Sequence, residues 1–381
     1  MSALGAARRV AVTPAWLARR GLVRIRTRSW AELSRLFVVG DRGGWSVDED
    51  AAHIAAAAQR LGYQLAPPGW APFASRQAIF HTSHFEALTH RWLTSSHRLG
   101  VAYMHGRPGT PGAPEFDSAF EALRRDPARF ARVQVTHAEM QDLMLEAGVD
   151  PGRVFRIPLG IDLENFPLGG ADARARARAA IGLPVGAFVA GSFQKDGVGW
   201  EAGLEPKLIK GPDVLLAVLE QLLGAVPELH VLLTGPARGY VRQGLERLGI
   251  PYVHLTARSR PELARAYHAL DVYLVTSRQE GGPKAALEAT AAGVPLVSTR
   301  VGQVPEIVED GRTALVVDVE DVEALAAKVL RVHEDAGLAA ALAAAGRARA
   351  ESLALERLDS LWAALLDGFV EREPAAAEPG R

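Results

Sequence analysis

Apolar residues in this chain fall into two alternating patterns. Short unbroken apolar runs are each followed by a longer stretch with helical spacing. Early in the chain the runs are LFVVGD (36–41), RQAIFHTS (76–83), LGVAYMHG (99–106), ARVQVTHAEM (131–140, a strand leading to a helix) and RVFRIPLGID (153–162). Later they are AFVAGSF (187–193), LHVLLTG (229–235), YVHLT (252–256), DVYLVTS (271–277), PLVST (295–299) and ALVV (314–317). Unbroken apolar strands suit a parallel sheet covered by helices on both faces. Helices are predicted at about 212–224, 240–248, 261–269, 283–292 and 320–333. SVDE (46–49) reads as a capping box that opens a helix to about Leu61. A last helix is predicted near 352–370, before a disordered tail, EREPAAAEPGR. The alternation predicts an α/β fold of two doubly wound, Rossmann-like domains.

The predicted division is a basic N-terminal segment (1–35), an N-terminal α/β domain (36–168), a linker (169–186), a C-terminal α/β domain (187–350), a C-terminal helix (351–372) and the tail (373–381). The linker expectation rests on GGADARARARAA (169–180), which is small and charged and shows no clear apolar face. A length of 381 residues suits two such domains.

Composition narrows the function. Net charge is −1, which argues against a general nucleic-acid binder. There is no cysteine, so thiol catalysis and cysteine-ligated metal sites are excluded. No apolar run approaches the roughly 18 residues of a membrane span, and no secretory signal is visible, so the cytoplasm is expected. Residues 1–35 hold eight arginines and one acidic residue, Glu32. Such a segment reads either as a peripheral contact with an anionic membrane or as a solvated basic face, the blander reading.

One stretch carries most of the chemistry: QEGGPKAALEATAAGVPLVSTRVGQVPEIV (279–308). Glu280 follows a predicted strand, at the end where open α/β sheets bind ligands. Gly281 and Gly282 let backbone approach a ligand, and Pro283 fits a first helical position. The amides of that helix start suit a phosphate, and Glu288 lies roughly 7–8 Å along the helix from Pro283. Two carboxylates flanking a phosphate site match a nucleotide sugar; a solvated Glu280 and an arginine-paired Glu288 are the plain alternative.

This region resembles glycosyltransferase family 4, the retaining enzymes of GT-B fold. The resemblance rests on EGGPKAALEATAAGVPLVSTRVGQVPEIVEDGRTALVV (280–317), ARVQVTHAEMQDLMLEAGVDPGRVFRIPLGIDLENF (131–166) and GSFQKDGVGWEAGLEPKLIKGPDVLL (191–216). It implies two domains facing a cleft, with the acceptor on the first and the donor on the second. Glu280 then contacts the donor hexose and Glu288 its ribose, with Gly281, Gly282 and Lys284 at the phosphates. Lys210 is the diphosphate lysine, and Gly43 and Gly44 form the first glycine loop. His105 lies near the transferred sugar. The family arginine after the strand glycine is Ser192 here, so either the nearby Lys195 supplies the missing charge, with Lys207 a further candidate, or phosphate binding is weaker. The insertion around Trp200 is unusual for the family.

The implied activity is transfer of a hexose from a nucleotide-diphosphate sugar to an acceptor hydroxyl, with retention and without a metal. The donor is expected to be UDP- or GDP-linked, with no further cofactor. The acceptor is a glycan, a lipid-linked or a small molecule. A nucleotide-sugar epimerase, a phosphorylase or a catalytically silent binder are the alternatives. His81 and His84 have a spacing that suits a metal pair, but no carboxylates join them.

Overall fold

The computed structural model describes residues 14–41 and 46–371. Gly43, Gly44 and most of the C-terminal tail lie outside them. The chain divides into two compact units. The first takes the residues up to Ala102, Ala128–Val133 and those from Trp362; the second takes Tyr103–Pro127 and Gln134–Leu361.

In the first unit, β1 (Leu36–Val39), β2 (Ala78–His81), β3 (Arg98–Ala102) and the start of β4 (Phe130–Val135) are neighbours in that order. The pairs β1–β2 and β2–β3 are parallel. Residues beyond Trp362 close this core: Trp362 and Phe369 meet Phe80 of β2 edge-on, with centroids 5.9 and 6.5 Å away. Arg98 Nη1 donates to the carbonyl of Gly368 at 2.8 Å.

In the second unit, β5 (Val154–Arg156) follows the end of β4, and Ile157 N donates to Val135 O. A six-stranded sheet is built from β6 (Phe188–Ser192), β7 (Leu229–Thr234), β8 (Tyr252–Leu255), β9 (Val272–Val275), β10 (Leu296–Thr299) and β11 (Leu315–Val317). Its order is β11-β10-β9-β6-β7-β8, with every pair parallel. Side chains alternate across the pleat. Tyr273, Val275 and Leu296 enter one core, whereas Val272, Leu274 and Val297 enter the other. Two dry faces explain why the strands read as unbroken apolar runs.

The strands match the predicted positions and are shorter than predicted, although β3 and β4 begin one residue earlier, at Arg98 and Phe130. Three helical readings change. The segment expected as a linker contains a helix, Ala171–Ala180. Its inward face is charged rather than apolar, which hid it from a hydrophobic-pattern search. Arg178 is buried and Arg174 is half-buried, and both pair with Asp271; Asp271 Oδ2 also accepts from Val189 N at 2.7 Å. The helix expected over 352–370 is interrupted. A helix over Ala336–Ser352 stops where Ile161 N donates to Leu353 O and Leu355 N donates to Ile161 O, and Asp359–Leu366 follows after a short 3-10 turn. Pro283 caps its helix instead of opening it: the helix runs Lys284–Ala291, and Pro283 has φ −66° and ψ 98°.

Candidate functional site at the strand reversal of the second unit

The chain reverses direction across the sheet between β6 and β9. Connections leaving their carboxyl ends diverge there, and such a switch point is where open α/β sheets bind ligands. Lys195, Lys207 and Lys210 follow β6, and Glu280 follows β9.

Lys210 and Glu280 meet in a bidentate pair. Lys210 Nζ donates to Glu280 Oε1 at 2.7 Å and to Oε2 at 2.6 Å. Ser277 Oγ adds a third bond to Oε1, at 2.8 Å. Glu280 is 8% exposed. The pair depends on a close backbone approach at Gly211. That residue has φ 61°, and an added Cβ would lie 1.9 Å from Thr276 O. Thr276 Oγ1 donates to Gly211 O at 2.9 Å, and Arg278 N donates to Ile209 O. The loop bearing Lys210 is thereby stitched to the end of β9.

The other two lysines sit at the feet of a hairpin. Gly197 and Pro206 form an antiparallel bridge, and Lys207 N donates to Asp196 O at 2.7 Å. The hairpin is anchored at the next strand's exit, where Gly239 N and Tyr240 N donate to Ala202 O and Gly203 O. Lys195 Nζ donates to Gly197 O at 3.1 Å and lies 4.6 Å from the Trp200 ring centroid. The unusual insertion therefore has a structural use, which is to bring a lysine from each end toward Lys210. Burial holds Lys207 below the usual lysine range, and Lys210 and Lys195 push it further; Glu280 and, behind it, Glu115 oppose them. Lys195 is lowered by burial first and then by Lys210, against the pull of Asp196. Three ammonium groups face one contacting carboxylate, and the group stays positive with Glu115 counted. This excess of positive charge suits an anion.

Sequence reasoning missed Arg238 and Asp196. Arg238 comes from the turn after β7 and reaches the residue where the family arginine was expected. Its Nη1 donates to Ser192 O at 2.6 Å, and its Nη2 lies 3.3 Å from Ser192 Oγ. Its Nε donates to Asp196 Oδ1 at 3.0 Å. Both side chains are 1% exposed or less, so this charge is neutralised inside the protein and is not offered to a ligand. No local periodicity marks such a pair, because it joins positions more than 40 residues apart.

Gly281 and Gly282 are hemmed in by the protein itself. A Cβ on Gly281 would fall 2.6 Å from Met104 Cβ, and one on Gly282 would fall 2.8 Å from Gln303 Cδ. Thr136 Oγ1 holds Gly281 O at 2.6 Å, and Gln303 Oε1 accepts from Leu159 N at 2.8 Å. A side chain at either position would meet Met104 or Gln303, so the close packing here requires glycine. Gln303 is fully buried, and its amide nitrogen has no hydrogen-bond partner among the described residues. Lys284 is half-buried as the first residue of the following helix.

Glu288 lies inside that helix, 6% exposed. Arg260 Nη1 donates to Oε1 and Tyr267 OH to Oε2, both at 2.8 Å. The arginine-paired arrangement is therefore the one adopted, with Tyr267 added. Tyr267 is pushed well above the ordinary tyrosine range by burial and then by Glu288, so it remains a donor.

His105 stands edge-on to Phe116, with centroids 5.5 Å apart, and Phe116 packs with Ile209 beside Lys210. Burial, then Lys210, Lys207 and His137, pull its pKa down to about 3. The imidazole is neutral at physiological pH. His81 and His84 are buried, and His81 lies 4.7 Å from the Trp92 ring. Among the described residues no group of three or more His, Asp or Glu side chains is arranged to hold a metal.

Residues 197–335 match the family model "Glycosyl transferases group 1". A D-inositol 3-phosphate glycosyltransferase of Corynebacterium urealyticum is 33% identical over 253 residues, covering 62% of this chain and 56% of that protein. Its counterpart from Segniliparus rotundus is 27% identical over 326 residues, covering 81% and 68%. The chain spans about half the length of the first curated relatives it matches. Among solved structures, Anabaena HepE in complex with UDP and glucose aligns with a TM-score of 0.70 at 17% identity, covering 88% of this chain and 100% of that one. A Rickettsia africae glycosyltransferase aligns at 0.66 and 14%, covering 89% and 98%. Together with the two parallel-sheet α/β domains, these matches show the GT-B fold, and over residues 197–335 the chain is similar to the group 1 glycosyl transferases.

Proposed function

We propose that the chain moves a hexose from a nucleotide-diphosphate sugar to an acceptor hydroxyl, with retention of configuration and without a metal. The observation that carries this reading is the lysine group at the strand reversal, with Lys195, Lys207 and Lys210 around Glu280. A diphosphate supplies negative charge that this group can hold, displacing Lys210 from Glu280. The HepE complex with UDP and glucose supports a uridine nucleotide as the donor's leaving group.

In this reading Lys210 grips the diphosphate, and Lys207 and Lys195 take over from the missing family arginine. Lys284 and the amides from Gly281 onward add donors at the helix start. Glu280 receives hexose hydroxyls once Lys210 turns to phosphate, and Ser277 keeps its carboxylate in place. Glu288 receives the ribose beside its bonds to Arg260 and Tyr267; a carboxylate has about four acceptor sites, so two remain. His105 is neutral and offers the sugar a hydrogen bond without adding charge.

The C1–O bond to the diphosphate breaks as the acceptor oxygen bonds C1 on the same face. The acceptor's proton passes to the leaving phosphate oxygen. Charge builds on the diphosphate in the transition state, and fixed cations aimed at it lower the barrier. The segment 36–168 is assigned the acceptor and 187–350 the donor.

The test is a screen of UDP-, GDP- and ADP-sugars by thermal stabilisation, followed by turnover with wild type and Glu280→Ala. One UDP-sugar should raise the melting point, because a ligand selective for the folded state stabilises it. Turnover should fall at least about 100-fold in the variant, as when a transition-state contact is lost. Turnover equal to wild type would remove Glu280 from the site. An epimerised or phosphorolysed sugar from donor alone would replace the transferase reading.

A further inference from the structure

The helix Pro14–Thr27 carries two apolar faces. The inner face holds it to the first unit. Val23 and Thr27 are buried there, and Trp16 meets Phe73 edge-on at 5.4 Å. The outer face has no counterpart among the described residues. Leu17 is 52% exposed, Leu22 51% and Ile25 75%. At about 100° per residue, Leu17, Ala18, Gly21, Leu22 and Ile25 share an arc of roughly 140° opposite Val23. That arc contains no polar residue.

Arginines border it. Arg24 lies on one edge and Arg19 and Arg26 on the other; all three are exposed, and Arg28 follows the helix. No acidic residue occurs from Pro14 to Ala31. Single exposed apolar residues are ordinary, but an unbroken stripe is not. Apolar residues flanked by arginines fit the boundary of a lipid layer, where the stripe enters the acyl region and the guanidinium groups reach lipid phosphates.

We propose that this outer face docks on an anionic lipid bilayer. Charge complementarity selects the lipid over other occupants. A nucleic acid would need cations at the centre of the patch, and the centre is apolar. A second copy would set arginine edges against arginine edges, which repel. The proposal does not depend on the donor-site reading, and its test uses no nucleotide.

Sedimentation of the full chain with phosphatidylcholine vesicles, with and without about one third phosphatidylglycerol, tests it. The chain should pellet with the anionic vesicles, and each arginine should add about fivefold to the partition coefficient. The double variant Leu22→Glu/Ile25→Glu should keep the wild-type melting point and lose at least about tenfold in partition. Arg24→Gln should weaken binding by about fivefold. Failure of wild type to bind anionic vesicles overturns the proposal, as does equal binding by the double variant. A wild-type dimer that the double variant loses, without vesicle binding, would assign the face to a second copy.

Discussion

Replacing Glu280 by glutamine makes the reasoning about the lysine group quantitative. Glu280 neutralises Lys210 through contacts of 2.6 and 2.7 Å. The variant keeps the shape and an oxygen for Ser277, but removes the carboxylate that contacts Lys210. A phosphate held by Lys210 would lie within about 6 Å of that carboxylate. At that separation a unit charge is worth about 0.7 kcal/mol in water and about 2.8 kcal/mol at an effective dielectric constant of 20. Glu280→Gln should therefore tighten UDP binding by roughly 3- to 100-fold. Turnover of the UDP-sugar should fall, because the carboxylate that receives the hexose is gone. Lys210 keeps partial access to water, with its side chain 23% exposed, so the loss in stability should stay near 1–3 kcal/mol. Isothermal titration with UDP at low and physiological salt, beside initial rates, reads both effects. Weaker UDP binding by Glu280→Gln in a folded protein would refute the idea that the pair competes with phosphate.

Gly211→Ala places a Cβ against Thr276 O at a φ of 61°. Thermal melts should show about 2 kcal/mol or more of destabilisation, with donor affinity lost as Lys210 moves. Arg238→Met removes the guanidinium that contacts the buried Asp196, which should cost about 3–5 kcal/mol in urea unfolding; adding Asp196→Asn should recover part of it. Burial pulls His81 and His105 down to about 3 and His97 to about 4. The unfolded chain takes up these protons near pH 6.5 and the folded chain does so only near pH 3–4, so stability is full above pH 6.5 and falls as pH drops through that window. The slope is about 1.4 kcal/mol per pH unit for each histidine, and melts from pH 7.5 to 5 should show His81→Leu lessening it. A melting point constant over that range would contradict the buried, neutral state.

Strand positions were legible because continuous apolar runs have one stable use, a sheet covered on both faces. The candidate site was legible where local order encodes it. Glu280 and Lys210 each follow a glycine- or loop-marked strand exit, and folding brings their side chains into contact. What stayed hidden depends on contacts between distant positions. Arg238 reaches Ser192 from another strand's exit, and the Arg260 and Tyr267 bonds to Glu288 come from a neighbouring helix. The helix Ala171–Ala180 was hidden for a related reason: its buried face is arginine, paired with Asp271, so no apolar stripe announces it. Gly281 and Gly282 were recognised as special, but the neighbours that crowd them, Met104 and Gln303, lie far away in the chain.

The central claim is that Lys195, Lys207 and Lys210 together hold the diphosphate. It is tested most directly by the UDP isotherm of the triple variant Lys195→Ala/Lys207→Ala/Lys210→Ala, once its far-ultraviolet spectrum confirms folding. The account predicts an affinity at least about 100-fold below wild type and a much shallower dependence on salt. A folded triple variant that binds UDP within about threefold of wild type, well under 1 kcal/mol apart, would contradict it.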